Sequence, residues 1–129
     1  MEEKGGVAGA APVGSAIEAL LPLQPMHFRV SLVLAGGPMH GYAIAKELER
    51  AHGSPVLPGN LYRTLKQMRA KGLIQETELT IDNDDERRRY FELTALGQEV
   101  AAAETRRMEG LVEAAHRVHL SAPRKESAS

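Results

Sequence analysis

Three short helical stretches, a β-hairpin and one long amphipathic stretch, in that order, predict a mainly helical α+β domain: a winged helix-turn-helix with a long C-terminal dimerisation helix. Three observations carry this expectation. An apolar stripe at Leu61, Leu65 and Met68 has a basic, amide-bearing face opposite it. Two strand-like runs flank a polar turn containing Asp82, Asn83, Asp84 and Asp85. Met108, Leu111, Ala115 and Val118 then follow the three-four-three spacing of a coiled-coil seam.

Along the chain, residues 1–23 are rich in Ala, Gly and Pro without a usable period, and are expected to form a disordered tail. The winged-helix domain is expected over 24–93, the dimerisation helix over 94–119 and a second disordered tail over 120–129. Pro25 suits a first helical turn. Phe28, Val30, Leu32, Val33 and Leu34 make the following helix apolar nearly all round, so it is buried in the core or in a subunit interface. Phe28 and Leu32 are its candidates for that interface. Gly36, Gly37 and Pro38 turn the chain. A second helix spans about Gly41 to His52, with Tyr42, Ile44, Ala45 and Leu48 inward.

After the breaks at Gly53-Ser54-Pro55 and Pro58-Gly59, Asn60 is expected to cap the third helix. Asn60, Arg63, Thr64, Gln67 and Lys71 fall on its outer face with Lys66 at the border, and Lys71-Gly72 closes it. Strands are expected at Leu73–Leu79 and Arg88–Leu93, with Arg89, Phe91 and Leu93 on one face and Tyr90 on the other. Thr94 caps a last helix reaching about His119, whose apolar stripe Leu96 and Val100 extend. So small a domain cannot cover that seam, and a second copy of the same helix is the simplest partner.

Composition narrows the chemistry. The 129 residues fit one domain. Aromatics are 4% of the chain, so Leu, Ile, Val, Met and Ala must build the core. There is no cysteine, which excludes disulfides, thiolate metal sites and cysteine nucleophiles among these residues. The formal net charge of −1 argues against a nucleic-acid partner until the charges are located. Arg63, Lys66, Arg69 and Lys71 then occur without an acid between Asn60 and Gly72, and Arg87, Arg88 and Arg89 form a second basic cluster. No apolar run approaches the about 20 residues of a membrane span, and the N-terminus lacks the basic region of an export signal, so a cytoplasmic location is expected.

Helices two and three, joined by a Gly/Pro connection, suit a helix-turn-helix. The major groove of B-DNA admits one helix, and Arg, Lys, Asn and Gln read base edges there. Asn60, Arg63, Lys66 and Gln67 are the candidates on the third helix, and Arg87, Arg88 and Arg89 can reach the neighbouring backbone or minor groove.

Three stretches then carry a resemblance: GPMHGYAIAKELE (Gly37 to Glu49), PGNLYRTLKQMRAKGLI (Pro58 to Ile74) and DDERRRYFELTALG (Asp84 to Gly97). Together, and in this order, they resemble the PadR-like transcription regulators over residues 26 to about 118, on the branch with a single C-terminal helix. The resemblance implies a homodimeric repressor that binds an inverted repeat of double-stranded DNA. By matching position it places Tyr62 and Arg63 in the recognition helix, Arg87 to Arg89 in the wing, and His40, Gly41 and Tyr42 at the start of the helix that leans on the DNA backbone. Asn60 stands where the family more often has Thr or Ser, and Phe91 replaces a commoner Tyr. Some short members hold drugs or phenolic compounds against an aromatic of the last helix. Here that helix has none, so the identity of any small-molecule effector stays open.

Other chemistries fit less well. The run Asp82 to Glu86 lacks the features of a calcium loop, with Arg87 at the sixth position and Leu93 at the twelfth. His116 and His119 alone make no metal site, and Ser31 with His27 has no carboxylate to complete a triad. No cofactor, metal or catalytic group is expected. The alternative to a DNA-binding regulator is a winged helix that binds only other proteins.

Overall fold

The computed structural model describes residues 13–80 and 87–120, and its first element lies where a mobile tail is expected. Val13–Glu18 form a short helix, α1, packed against the last helix of the chain. Ile17, Leu20 and Leu21 are partly buried against the core and Leu23 is 6% exposed. The expectation of a tail over 1–23 is therefore corrected for residues 13–23; residues 1–12 lie outside the described residues. Local composition gave no periodic signal there, because what orders the segment is apolar contact with a helix some 80 positions later in the sequence.

Helix α2 (Pro25–Leu34) starts with proline in its first turn and buries His27, Val30, Ser31 and Leu34. Leu32 remains 58% exposed on its far side. A two-residue strand β1 (Met39–His40) leads into α3 (Gly41–His52), which buries Ile44 and Leu48. Tyr42, expected inward, is instead 68% exposed. It lies about 160° around the helix from Ile44, since each residue turns about 100°.

Helix α4 (Pro58–Ala70) buries Leu61, Thr64, Leu65 and Met68. It begins two residues before the expected cap. Leu57 is the N-cap and makes no side-chain cap bond, so Asn60 stands inside the first turn. Proline explains the earlier start: its fixed φ suits the first helical position, where its missing N–H costs nothing. Thr64, expected outward, is 8% exposed. It lies only about 60° from Leu61 around the helix and so joins the edge of the apolar stripe.

Strands β2 (Ile74–Thr80) and β3 (Arg87–Leu93) form the expected hairpin, and β1 adds a third strand in the order β1-β3-β2, all antiparallel. Met39 pairs with Phe91 and His40 with Tyr90. A two-residue strand has no alternation to read, so its pairing was not legible beforehand. The turn residues Asp82 to Glu86 lie outside the described residues.

Helix α5 (Ala95–Arg117) starts at Thr94, whose hydroxyl accepts from the Gly97 N–H at 2.9 Å and donates to the Gly72 carbonyl at 2.6 Å. Gly97 lets this helix start against the turn before β2: a Cβ there would stand 2.0 Å from the Leu73 carbonyl oxygen. Val118 is the C-cap and lies just beyond the helix in which it was expected. The core gathers Val30, Ile44, Leu48, Leu61, Leu65, Met68, Leu73 and Val100, each at most 2% exposed. Burying each such side chain contributes about 1.5–3 kcal/mol before conformational entropy is counted.

Among the described residues, one carboxylate is buried. Glu104 of α5 is 2% exposed and accepts two bonds from Arg107, Nε and Nη2 each at 2.8 Å. The Arg107 bonds hold its carboxyl below the ordinary carboxylate range, outweighing the opposing effect of burial, and the backbone N–H of Leu23 helps. Glu104 thereby ties the segment after α1 to α5.

Candidate nucleic-acid interface

One surface of the molecule is built from the start of α3, the outer face of α4 and the paired strands β2 and β3. Its chemistry begins with α4, which contains no acid along its length. Tyr62, Arg63, Lys66 and Gln67 are all exposed on it, because its apolar residues sit at the spacings that turn one face inward. Arg63 donates from Nη2 to Asn60 Oδ1 at 2.6 Å. The amide expected to cap the helix thus braces the guanidinium instead, one helical turn away.

Gln67 is tied inward as well as exposed. His27 on α2 is fully buried, and its Nε2 donates to Gln67 Oε1 at 3.1 Å. His27 Nδ1 has no hydrogen-bond partner. Burial lowers the His27 pKa, against the Gln67 bond, with repulsion from Lys71 as a smaller cause in the same direction. A buried imidazole therefore links α2 to the outer face of α4.

At the start of α3, His40 is the N-cap: its Nδ1 accepts from the Ala43 N–H at 3.3 Å. Its ring stacks with Tyr42 at 6.4 Å between centroids and meets Tyr90 edge-on at 5.5 Å. Lys46 places its ammonium 5.7 Å from the centre of the Tyr42 ring. Tyr62 of α4 lays its hydroxyl over Gly41, where a Cβ would stand 2.6 Å from that oxygen. A side chain at position 41 would have to push the exposed tip of Tyr62 aside.

The wing contributes Arg89, whose Nε is 2.9 Å from Glu76 Oε2. The other oxygen of Glu76 is 2.9 Å from Arg69 Nη1 on α4. Arg87 and Arg88 lie on β3, and their side chains fall outside the described residues. Neither Glu76 nor Arg69 was singled out from the sequence as a site residue. The available signal was the alternation of β2, which turns Glu76 to the same face as Arg89 and Phe91.

The residues expected at a subunit interface occupy another surface. Phe28 on α2 and Met108, Val112 and His116 on α5 line an open groove of about 660 Å³. Leu111 is 56% exposed, Val118 63% and Leu32 58%, while Ala115 is partly buried. Among the described residues, nothing covers the exposed side chains of Leu32, Leu111 and Val118. No group of three or more metal-ligating side chains occurs among the described residues, and no helix there is long and apolar enough to cross a membrane.

Four short helices, a two-stranded wing with a third strand at its edge, and a long final helix among the described residues define a winged helix-turn-helix of the kind found in transcription regulators. A crystal structure of a PadR family transcription regulator from Clostridium difficile R20291 matches it with a TM-score of 0.64 at 22% identity, over 74% of this chain and 98% of that one. The family model described as "Transcriptional regulator PadR-like family" matches residues 31–103. The chain belongs to the transcriptional regulator PadR-like family.

Among curated relatives, a transcriptional regulator of Mycobacterium tuberculosis is 34% identical over 77 residues, which is 60% of this chain and 69% of that protein. An uncharacterized 37.1 kDa protein in transposon TN4556 of Streptomyces fradiae is 38% identical over 79 residues. That match takes in 61% of this chain and only 21% of the transposon protein, so the chain spans about a fifth of its length.

Proposed function

We propose that this regulator is a cytoplasmic homodimer that binds double-stranded DNA in a sequence-specific manner and represses transcription by occupying a pseudo-palindromic operator. The observation that carries this reading is the acid-free outer face of α4, where Arg63 and Lys66 stand exposed and Lys66 lines the same cleft as Arg89 of the wing. Arg63, braced by Asn60, is the base-reading residue, and Lys66 and Tyr62 meet the edge of the groove. The first turn of α3, with His40 and Tyr42 at its N-terminal end, faces phosphate, as do Arg87, Arg88 and Arg89 of the wing. Gln67, held by His27, contributes through its amide nitrogen.

Phe28, Leu32, Met108, Leu111, Ala115 and Val118 pair with the same residues of a second copy. Two α4 helices then enter successive major grooves about 34–36 Å apart. A signal that changes the angle between the subunits would release the operator by favouring a state that binds DNA less well.

Fluorescence anisotropy tests this with labelled duplex from upstream of the protein's own gene, scrambled duplex and a selection from a random pool, at several salt concentrations. Sequence-dependent binding with a steep salt slope is expected. Absence of binding to any duplex at low salt overturns the reading.

A further inference from the structure

We propose that Glu76 is a specificity-determining residue of this face: its carboxylate bridges the recognition helix to the wing and withholds Arg69 and Arg89 from indiscriminate phosphate contact. The inference rests on the DNA-binding reading above. Each carboxylate oxygen takes a different arginine at 2.9 Å, Oε1 from α4 and Oε2 from β3. The Glu76 side chain is 19% exposed, while those of Arg69 and Arg89 are 50% and 78% exposed. The acid thus lies beneath two cations that reach solvent, in a cleft of about 440 Å³ between α4 and the wing that Lys66 and Tyr62 also line. On the sheet, Glu76 pairs with Phe91 and Glu78 with Arg89, so Glu76 and Arg89 are diagonal neighbours on one face.

Stability does not explain an acid at this place, since ion pairs with partners so exposed stabilise little. On a face that meets phosphate, one carboxylate repels every duplex alike. What it contributes is geometry. A free arginine finds a phosphate on any DNA. A bridged arginine must leave its carboxylate, or hold to it, and then reaches phosphate only where the backbone path suits the bridge. Glu76 therefore lowers binding to all sequences and lowers it most for the wrong ones.

The test compares the full-length protein with its Glu76→Gln and Glu76→Asp variants by anisotropy, on the duplex the wild-type protein prefers and on scrambled duplex, across a salt series. Glutamine keeps the size of the side chain and removes the charge. Affinity for scrambled duplex is expected to rise about tenfold in Glu76→Gln, and affinity for the preferred duplex by no more than about threefold. The plot of log K against log salt is expected to steepen by about one to two, because Arg69 and Arg89 each become free to displace a counterion. Glu76→Asp, which retains the charge, is expected to keep most of the discrimination.

A merely structural role predicts the opposite pattern: a lower melting temperature with discrimination and salt slope unchanged. Thermal melts of the same samples read that outcome directly. Equal changes on both duplexes, or an unchanged slope in a folded Glu76→Gln protein, overturn the proposal. A wild-type protein that binds no duplex defeats the regulator reading and this inference together, an outcome distinct from the failure of the inference alone.

Discussion

Gly97 is the position at which one methyl group should do the most damage. A Cβ there would stand 2.0 Å from the Leu73 carbonyl oxygen, 2.9 Å from the Leu73 carbonyl carbon and 3.1 Å from Leu93 Cδ2. The first two are backbone atoms, so no rotamer change relieves the clash. The start of α5 must move by roughly 1 Å or more to reach ordinary contact. That motion pulls on the bonds joining α5 to the turn before β2. The Leu73 carbonyl accepts from the Thr94 N–H at 3.0 Å, and the Thr94 hydroxyl holds both Gly72 and Gly97.

Overpacking of this kind costs about 1–3 kcal/mol, and losing the helix cap costs about 1 more. Gly97→Ala should therefore destabilise the protein by about 2–4 kcal/mol, a fall in melting temperature of at least about 8 °C. Gly110 is the internal control. It lies in the same helix with nothing within 4 Å of where its Cβ would be. Gly110→Ala should stabilise by up to about 1 kcal/mol, because alanine loses less backbone freedom on folding. Circular dichroism melts of the two variants beside wild type decide the matter. A Gly97→Ala protein that melts within about 2 °C of wild type would refute the reasoning.

Other outcomes follow from the same geometry. Replacing Arg63 with alanine should cost about 1–3 kcal/mol of binding to the preferred duplex and relax preference at one base position, measured by anisotropy on a panel of singly substituted duplexes. Equal loss on every duplex would reassign Arg63 to phosphate. Because the His27 pKa is lowered on folding, the unfolded chain binds more protons below pH 6.5, its ordinary value. Stability should therefore fall as pH drops through 6.5, and His27→Leu should flatten that part of a melting-temperature profile. Glu104 has a lowered pKa too, so the stability it supplies is present above the ordinary carboxylate range and is lost in stronger acid. Glu104→Ala should cost about 1–3 kcal/mol in urea unfolding at neutral pH, and an unchanged midpoint would mean the buried carboxylate holds nothing. Leu111→Asp should halve the mass seen by analytical ultracentrifugation if the α5 seam is the dimer contact. An unchanged mass would move the contact elsewhere.

By itself, the sequence determined the order and kind of the main elements and the acid-free, basic character of the outer face of α4. Apolar spacing set the inner faces of α3 and α4 at Ile44, Leu48, Leu61, Leu65 and Met68, and turn residues set most of the breaks. These are local properties, readable within a few residues. Family membership was legible for a related reason: the motifs around Gly41, Tyr62 and Tyr90 are contiguous runs within the span that the family model matches. What only the tertiary structure decided depends on partners far apart in the chain. Helix α1 and the burial of Leu23 need α5; strand β1 needs β3; the inward tie of Gln67 needs a histidine 40 positions earlier. The Glu76 bridge is of the same kind. Its carboxylate sits between arginines of two different elements, and no reading of β2 alone shows which cations the fold brings to it. Backbone propensity acts within one or two turns, whereas a hydrogen bond or an ion pair acts wherever the chain returns.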